Sequence, residues 1–222
     1  VLLLKIDLHV HSEASKDGLS SIPDIVKSAK EKRLDGVAIT DHDLPFKRDK
    51  AIELSGELSF LLIPGVEITT SSGHLIVLDP RRNFCINAPF LEVVKTAIAD
   101  GSAVIIPHPT DPLSHGVGET TVKSSLPYLL PLEVMNASTL HKYNISAARL
   151  ADTLGLVKLG GSDAHWAPAV GDAFTLIESQ DQTVDAILDA IKKGRTQAQG
   201  NETSFITTMQ SVLKKFIKHV KL

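Results

Sequence analysis

The sequence predicts an α/β protein in which a mostly parallel sheet is covered by helices. Three observations carry that expectation. Short apolar runs alternate with longer segments of helical periodicity, the pattern of strand and crossover helix. Seven or eight such runs are present, enough to close into a barrel. Histidines and carboxylates gather where the runs end, and loops at one end of a parallel barrel are where sites are built. The chain has 222 residues, 43% hydrophobic and 22% charged, which suits one soluble domain with a full core. No internal repeat or low-complexity linker interrupts it.

Val1 to Leu8 reads as the first strand, apolar apart from Lys5 and Asp7. Ser21 is the expected N-cap of a helix reaching about Arg33, with Asp24 three residues on and Pro23 in the first turn. Val37 to Thr40 is a second strand, followed by a looser helix from Asp49 to Glu57. Phe60 to Ile68 is a strand bent at Pro64-Gly65, and His74 to Leu78 another, entered through Ser72-Gly73. Pro89 to Ala99 is helical, with Phe90, Leu91, Val94, Ala97 and Ile98 on one face. Ala103 to Ile106 is a strand stopped by Pro107-His108-Pro109, and Thr110 to Ser125 reads as a long loop. Leu129 to Val134 is a strand, and Ile145 to Leu154 a helix ending at Gly155. Strands at Leu156 to Leu159 and Ala173 to Ile177 and a helix from Val184 to Lys193 complete the alternation.

The chemistry sits at the strand ends. His9 and His11, two apart on a strand, point to one side. Asp41 and His42, Glu67, His108, and Asp163 and His165 end later strands, and Asp17 follows the first in its loop. His74 opens its strand, so it joins the others only if that strand runs antiparallel or bends. Imidazole and carboxylate without thiolate suit zinc, manganese or iron. Some nine donors oversupply one ion and suit two or three. A carboxylate such as Glu67 can bridge two ions. Paired ions clamp a phosphoryl group and activate water at neutral pH.

In order along the chain, His9-Val10-His11-Ser12, Ser15-Lys16-Asp17-Gly18, Thr40-Asp41-His42-Asp43, Pro64-Gly65-Val66-Glu67-Ile68, Ile106-Pro107-His108-Pro109 and Gly161-Ser162-Asp163-Ala164-His165 resemble the motifs of the polymerase and histidinol phosphatase (PHP) family. Glu133 to Asn136 and Gly194 to Gly200 add to the likeness. The resemblance implies a distorted seven-stranded (β/α) barrel with a site for up to three divalent ions (Zn, Mn or Fe). It implies His9, His11, Asp17, His42, Glu67, His74, His108, Asp163 and His165 as metal ligands. Asp17 stands where some members carry histidine, as in a subgroup of small phosphoesterases. His42, His108 and His165 are the candidate catalytic imidazoles. Asp41 is expected to orient an imidazole through its free N–H. Glu133 and Asn136 are expected to do the same or to finish a strand, and His115 to contact phosphate or to be a plain loop histidine.

The implied activity is hydrolysis of a phosphate ester, by a metal-held hydroxide at a di- or trinuclear site, on a small phosphorylated substrate such as a phosphomonoester. Only 29 residues separate Glu133 from Asp163, leaving little room for a substrate-binding insertion. One alternative is a nuclease acting on RNA or DNA ends, which would need a basic track. Only Lys47, Arg48, Lys50 and the C-terminal helix offer one, and the net charge of −3 argues against binding by bulk charge. Another alternative is a non-catalytic metal-binding regulatory module.

Residues 1–200 are expected to form the catalytic domain and 201–222 an appended amphipathic helix. That helix carries Phe205, Ile206, Met209, Val212, Leu213, Phe216, Ile217 and Val220 at 3/4 spacing. Packing on the barrel or on a second subunit, making a homo-oligomer, is the expected use. A basic helix at a membrane surface is the sharper reading. The single cysteine, Cys85, excludes an internal disulfide. With no run long enough to span a membrane and no signal-peptide pattern at Val1 to Leu4, a cytoplasmic location is expected. The missing initiator Met hints at a trimmed or processed end.

Overall fold

The computed structural model describes residues 1–220. Lys221 and Leu222 lie outside the described residues, as do the side chains of Lys218, His219 and Val220. The strands are β1 (Leu2–Val10), β2 (Gly36–Ile39), β3 (Leu61–Thr70), β4 (Gly73–Leu78), β5 (Ala103–Ile105), β6 (Leu132–Asn136), β7 (Lys158–Gly161), β8 (Ala173–Ser179) and β9 (Thr196–Gly200). The helices are α1 (Ile22–Glu31), α2 (Arg48–Leu58), α3 (Phe90–Ala99), α4 (Gly118–Ser124), α5 (His141–Leu154), α6 (Val184–Lys192) and α7 (Phe205–Val220).

Seven strands form one curled sheet in the order β5-β4-β3-β2-β1-β8-β9, and β6 pairs with β7. Single bridges, Ile106 to Leu132 and Val10 to Ala164, tie the pair to the larger sheet on both sides. Ladders β1–β2, β2–β3 and β6–β7 are parallel. Those of β3–β4, β4–β5, β1–β8 and β8–β9 are antiparallel. The expected mostly parallel sheet is therefore corrected to a mixed one. The cause is local: Thr70 to Gly73 makes a tight turn, too short for a crossover helix, so β4 must return beside β3.

This turn settles the position of His74. Because β4 runs backwards, its first residues lie at the end where β1, β2 and β3 finish, and His74 pairs with Thr69. Other expectations hold at the level of caps. The Ser21 hydroxyl accepts from the Asp24 N–H at 3.3 Å, and Gly155 ends α5 at φ 63°. The stretch expected as a loop, Thr110 to Ser125, contains α4 and a 3-10 turn at Pro112–Ser114. β9 was not expected: Thr196–Gly200 lacks an apolar run and is held by its ladder to β8. Apolar residues of β1, β2 and β8 pack against α6, and those of β3 and β4 against α3 and α5. Among the described residues, no helix is long and apolar enough to cross a membrane.

α7 does not follow the first of its two expected uses, packing on the barrel, while the second, packing on a second subunit, is not tested by a single chain. Its described apolar side chains, Phe205 to Ile217, are exposed rather than packed on the sheet; Phe205 is 77% exposed and Phe216 67%. Thr207, Ser211 and Lys215, spaced by four, are its less exposed side chains.

Candidate metal centre

Residues at one end of the sheet converge on a buried cluster. Asp7, His9 and His11 share one side of β1 or its end, and all three are buried. His9 Nε2 lies 3.1 Å from His11 Nε2, 3.3 Å from Glu67 Oε2 and 3.4 Å from Asp163 Oδ1. His11 Nε2 lies 3.2 Å from Glu67 Oε2 and 3.3 Å from Asp163 Oδ1. Ligand atoms about 2.1 Å from a shared ion, at tetrahedral angles, lie roughly 3.4 Å apart. These five separations, 3.1–3.4 Å, come close to that spacing, and His9, His11 and Glu67 form one candidate donor group while His9, His108 and Asp163 form another.

The proton inventory points the same way. His9 Nδ1 faces Glu133 Oε1 at 3.1 Å, and a carboxylate there calls for a proton on Nδ1. In neutral imidazole Nε2 then carries a bare lone pair, facing two carboxylates and a second imidazole. A cation must sit among them, either a proton or a metal ion.

Glu67 divides its two oxygens. Oε2 faces His9 and His11, and also His42 Nδ1 at 3.2 Å. Oε1 faces His74 Nδ1 at 2.9 Å and His108 Nε2 at 3.1 Å. The His74 contact is short yet lacks hydrogen-bond geometry, so His74 Nδ1 counts among the buried polar atoms without a hydrogen-bond partner. Two donors side by side with no bond between them suit a common ion. His11 Nδ1 and His108 Nδ1 are likewise buried without a partner.

A third group forms at the rim. His165 Nε2 is 2.8 Å from Asp17 Oδ2, and His42 Nε2 is 4.0 Å from Asp17 Oδ1. His165 Nδ1 lies 3.0 Å from the Asp163 carbonyl, which can only accept. The proton therefore belongs on Nδ1, and Nε2 again meets a carboxylate with a lone pair. The loop after β1 folds back to bring Asp17 there: Leu19 N–H donates to the His165 carbonyl at 2.8 Å. Gly18 makes the fold-back sterically open, since a Cβ there would lie 1.8 Å from the Ser12 carbonyl oxygen.

Two candidate ligands hold left-handed backbone, His108 at φ 29° and Asp163 at φ 52°. Non-glycine residues in this region cluster at functional sites, where surrounding structure overrides the local cost.

Burial and charge set the protonation. Burial by itself would lower the His9 pKa, but Asp163, Glu133 and Glu67 hold it well above the ordinary imidazole value. Burial opposes protonation of His11 too, and hydrogen bonds to Asp163 and Glu67 push it up to about 9. Glu67 and Asp163 are buried, which alone would raise them, yet the imidazoles around them hold both well below the carboxylate range. Asp17 is held low in the same way, mainly by His165. His42 behaves differently: burial pushes it down to about 4, so it stays neutral at pH 7. The pocket attracts cations, and protons compete with metal for it.

Around the cluster, Glu133 Oε2 accepts from the His108 N–H at 3.0 Å and from Asn136 Nδ2 at 2.8 Å. Asn136 Nδ2 also reaches Asp163 Oδ2 at 3.2 Å. Glu133 thus contacts the ring of His9 and the backbone of His108, and Asn136 spans two carboxylates. The expectation for Asp41 is corrected. Its oxygens accept from the Ser12 N–H at 2.6 Å and the Ser12 hydroxyl at 2.7 Å, so it clamps the loop after β1 and, among the described residues, hydrogen-bonds no imidazole. His115 is exposed beside the cleft, its ring 5.1 Å from that of His74. His141 pairs with Glu202 at the surface.

Sequence reasoning passed over Asp7. Its carboxylate accepts from the N–H groups of Ser162 at 2.9 Å, Gly171 at 2.8 Å and His9 at 3.2 Å, and burial pushes its pKa up to about 6. The available signal was a charged residue within an apolar strand, two before His9. Lys215 was passed over too: its Nζ lies 3.4 Å from Asp17 Oδ2, an approach no helical pattern announces. Arg48 and Lys50 are engaged by carboxylates, and Lys47 lines a cleft with Asp79, away from the cluster. Arg48 bonds Asp79 and Asp185, and Lys50 pairs with Glu53. Asp79 follows the last residue of the antiparallel β4, at the sheet end away from the cluster.

The cleft over the cluster has a volume of about 200 Å³ and is lined by Asp17, His42, Glu67, His74, His115 and His165 among others. A larger cleft, about 560 Å³, between α1 and Trp166 holds no histidine. The donor set, not the volume, locates the site.

An α/β scaffold that gathers imidazoles and carboxylates at one sheet end defines a metal-site protein. Residues 141–196 match a family model described as PHP-associated. The protein MJ0417 of Methanocaldococcus jannaschii is 30% identical over 176 residues, covering 77% of this chain and 69% of that protein. The protein named Probable phosphatase YcdX of Shigella flexneri is 25% identical over 227 residues, covering 83% of this chain and 89% of that protein. A crystal structure from Bacteroides vulgatus, of a two-domain protein described as containing a PHP-like metal-dependent phosphoesterase, superimposes with a TM-score of 0.73. It is 22% identical and covers 96% of this chain and 70% of that one. The chain belongs to the polymerase and histidinol phosphatase (PHP) family.

Proposed function

We propose that this PHP hydrolase cleaves the phosphate ester of a small phosphomonoester with the help of two or three divalent ions, Zn, Mn or Fe. The observation that carries the reading is the division of Glu67, one oxygen toward His9 and His11 and the other toward His74 and His108. His9, His11, Glu67 and Asp163 would hold one ion, Glu67, His74 and His108 a second, and Asp17, His42 and His165 a third. Divalent ions, when bound, supply Lewis acidity and lower the pKa of water at such sites.

The chain's own residues do the rest. Glu133 holds His9 in one tautomer, and Asn136 keeps Asp163 in place. His42, neutral at pH 7, can take a proton from attacking water or stay a ligand. His115, exposed and lining the cleft, would give a proton to the leaving oxygen. The cleft of about 200 Å³ suits a compact substrate. Arg48 and Lys50 are neutralised by carboxylates and give a polynucleotide no basic track, which leaves the C-terminal helix, with Lys215 beside Asp17, as the one the nuclease reading would use. In this reading β1 to β7 act as a distorted seven-stranded barrel, residues 1–200 are the catalytic unit and 201–222 an appended helix.

A panel of phosphomonoesters, phosphodiesters and short oligonucleotides, assayed with Mn, tests the proposal. Turnover confined to monoesters is expected. Preferred turnover of oligonucleotides would replace it with the nuclease reading, and zero turnover by metal-loaded protein would favour a regulatory module.

A further inference from the structure

The less exposed side of α7, with Thr207, Ser211 and Lys215, lines a second cleft beside the metal-ligand cluster. This cleft has a volume of about 200 Å³, the same as the one over the cluster, and His165 lines both. A charge pair links them as well: Lys215, in this cleft, stands 3.4 Å from Oδ2 of Asp17, in the other. A phosphate ester with its phosphoryl group over the cluster would therefore extend past His165 into this cleft with its alcohol half.

The lining says what that half is. Trp166 and Val212 give it apolar surface, and hydroxyls of Ser138, Thr207 and Ser211 stand among them. Ser138 Oγ donates to the Ser162 and Asp163 carbonyls, at 3.1 and 3.0 Å, which leaves its lone pairs to accept. Thr207 Oγ1 has a hydroxyl neighbour, Ser204 Oγ at 2.9 Å, and keeps capacity for a further bond. No carboxylate among the described residues lines the cleft. Small sugars and polyols combine C–H faces that pack on an indole with hydroxyls that both donate and accept. A plain alkyl group would leave the wall hydroxyls unpaired, and an anionic group would find a lysine already facing Asp17. The volume lies under the roughly 300 Å³ at which sites for drug-sized ligands begin, so a pentose-sized group suits it better than a whole nucleoside. We propose that this cleft binds the alcohol half of the substrate, and that this half is a small sugar or polyol. The inference rests on the phosphomonoester reading above and names its substrate class.

Kinetics of the whole Mn-loaded protein on ribose 5-phosphate and butyl phosphate test this. The kcat/KM is expected to be at least about tenfold higher for ribose 5-phosphate. Thr207→Val, which removes a hydroxyl and keeps the shape, is expected to lower that ratio about threefold. Ser211→Leu, which fills the cleft, is expected to lower it about tenfold. Leu213→Gln, on the exposed side of the same helix, is expected to leave the ratio as it is. Trp166 is the single tryptophan of the chain, so its emission reports on the cleft directly. With metal chelated, ribose 5-phosphate is expected to shift that emission saturably in the parent protein and not in Ser211→Leu. Equal kcat/KM for the two esters would overturn the inference, as would a preference for ribose 5-phosphate that neither cleft variant changes. Zero turnover of both esters would overturn the phosphomonoester reading instead; the emission shift would then still support a sugar site, and its absence would overturn that too.

Discussion

Glu133 Oε1 lies 3.1 Å from His9 Nδ1, and this contact decides which nitrogen of His9 faces the cluster. Both residues are buried, so no water competes for the bond. Partners of this kind set the tautomer and basicity of a ligand, and removing one typically costs 10–100-fold in metal affinity. Glu133→Gln keeps the volume but removes the charge that fixes the proton on Nδ1. Its affinity for Mn or Zn is expected to fall by about tenfold or more, as read by competition with a chelating dye. Unchanged affinity would show that Glu133 only completes β6.

Gly161 makes that contact sterically open. A Cβ at this position would lie 2.5 Å from Glu133 Oε1 and 2.7 Å from His9 Cβ. Gly161→Ala must therefore push the two apart. Overpacking of this order costs roughly 1–3 kcal/mol. The variant is expected to melt at a lower temperature and to bind less metal, whereas Gly56→Ala, where the added Cβ meets nothing within 4 Å, should do neither.

The protonation of His11 gives a pH dependence with a defined sign. Its folded pKa is raised to about 9, against an unfolded value of 6.5. In metal-free protein that stabilisation is present in full below pH 6.5 and lost as pH rises through about 9. Metal binding runs the other way, because the imidazole must shed its proton first. The melting temperatures of metal-loaded and metal-free protein are therefore expected to move apart between pH 6.5 and 9. The lowered Glu67 and Asp163 act at the acid end, where their stabilisation is lost as pH falls below the ordinary carboxylate range. Differential scanning fluorimetry across that range checks both limbs, and a gap that stays constant from pH 6.5 to 9 would reject the assignment to His11.

Asp79 anchors the other end of the sheet. It is 1% exposed and receives Arg48 through two hydrogen bonds, at 3.0 and 2.9 Å, with Arg81 at 2.7 Å. Hydrogen bonds to charged groups contribute about 1.5–3 kcal/mol each when broken. Asp79→Asn is expected to destabilise the protein by about 2 kcal/mol in urea denaturation while leaving metal content unchanged. A loss of metal in this variant would mean that the two ends are coupled.

The strand ends were legible because a strand's side alternation is rigid: His9 and His11 had to share a side, and Asp163 and His165 had to follow β7. His74 needed the direction of β4, which the turn at Thr70 to Gly73 sets and which apolar patterning alone leaves undecided. The role of Asp41 was misjudged because its neighbour His42 turns to Glu67 while Asp41 turns to Ser12, a choice made by loop geometry. β9 was invisible because Thr196–Gly200 takes its strand form from pairing with β8. The periodicity of α7 was readable, but periodicity says which residues share a side and not which side meets the protein. The inward Lys215 and outward Phe216 are consequences of tertiary placement.

The central claim is that the cluster around Glu67 holds more than one divalent ion. Elemental analysis of protein purified with Mn and Zn supplementation tests it most directly, with Glu67→Gln measured alongside. Two to three ions per chain are expected in the parent protein and at most one in the variant. Trace metal in the parent, or a single ion that persists unchanged in Glu67→Gln, would contradict the account.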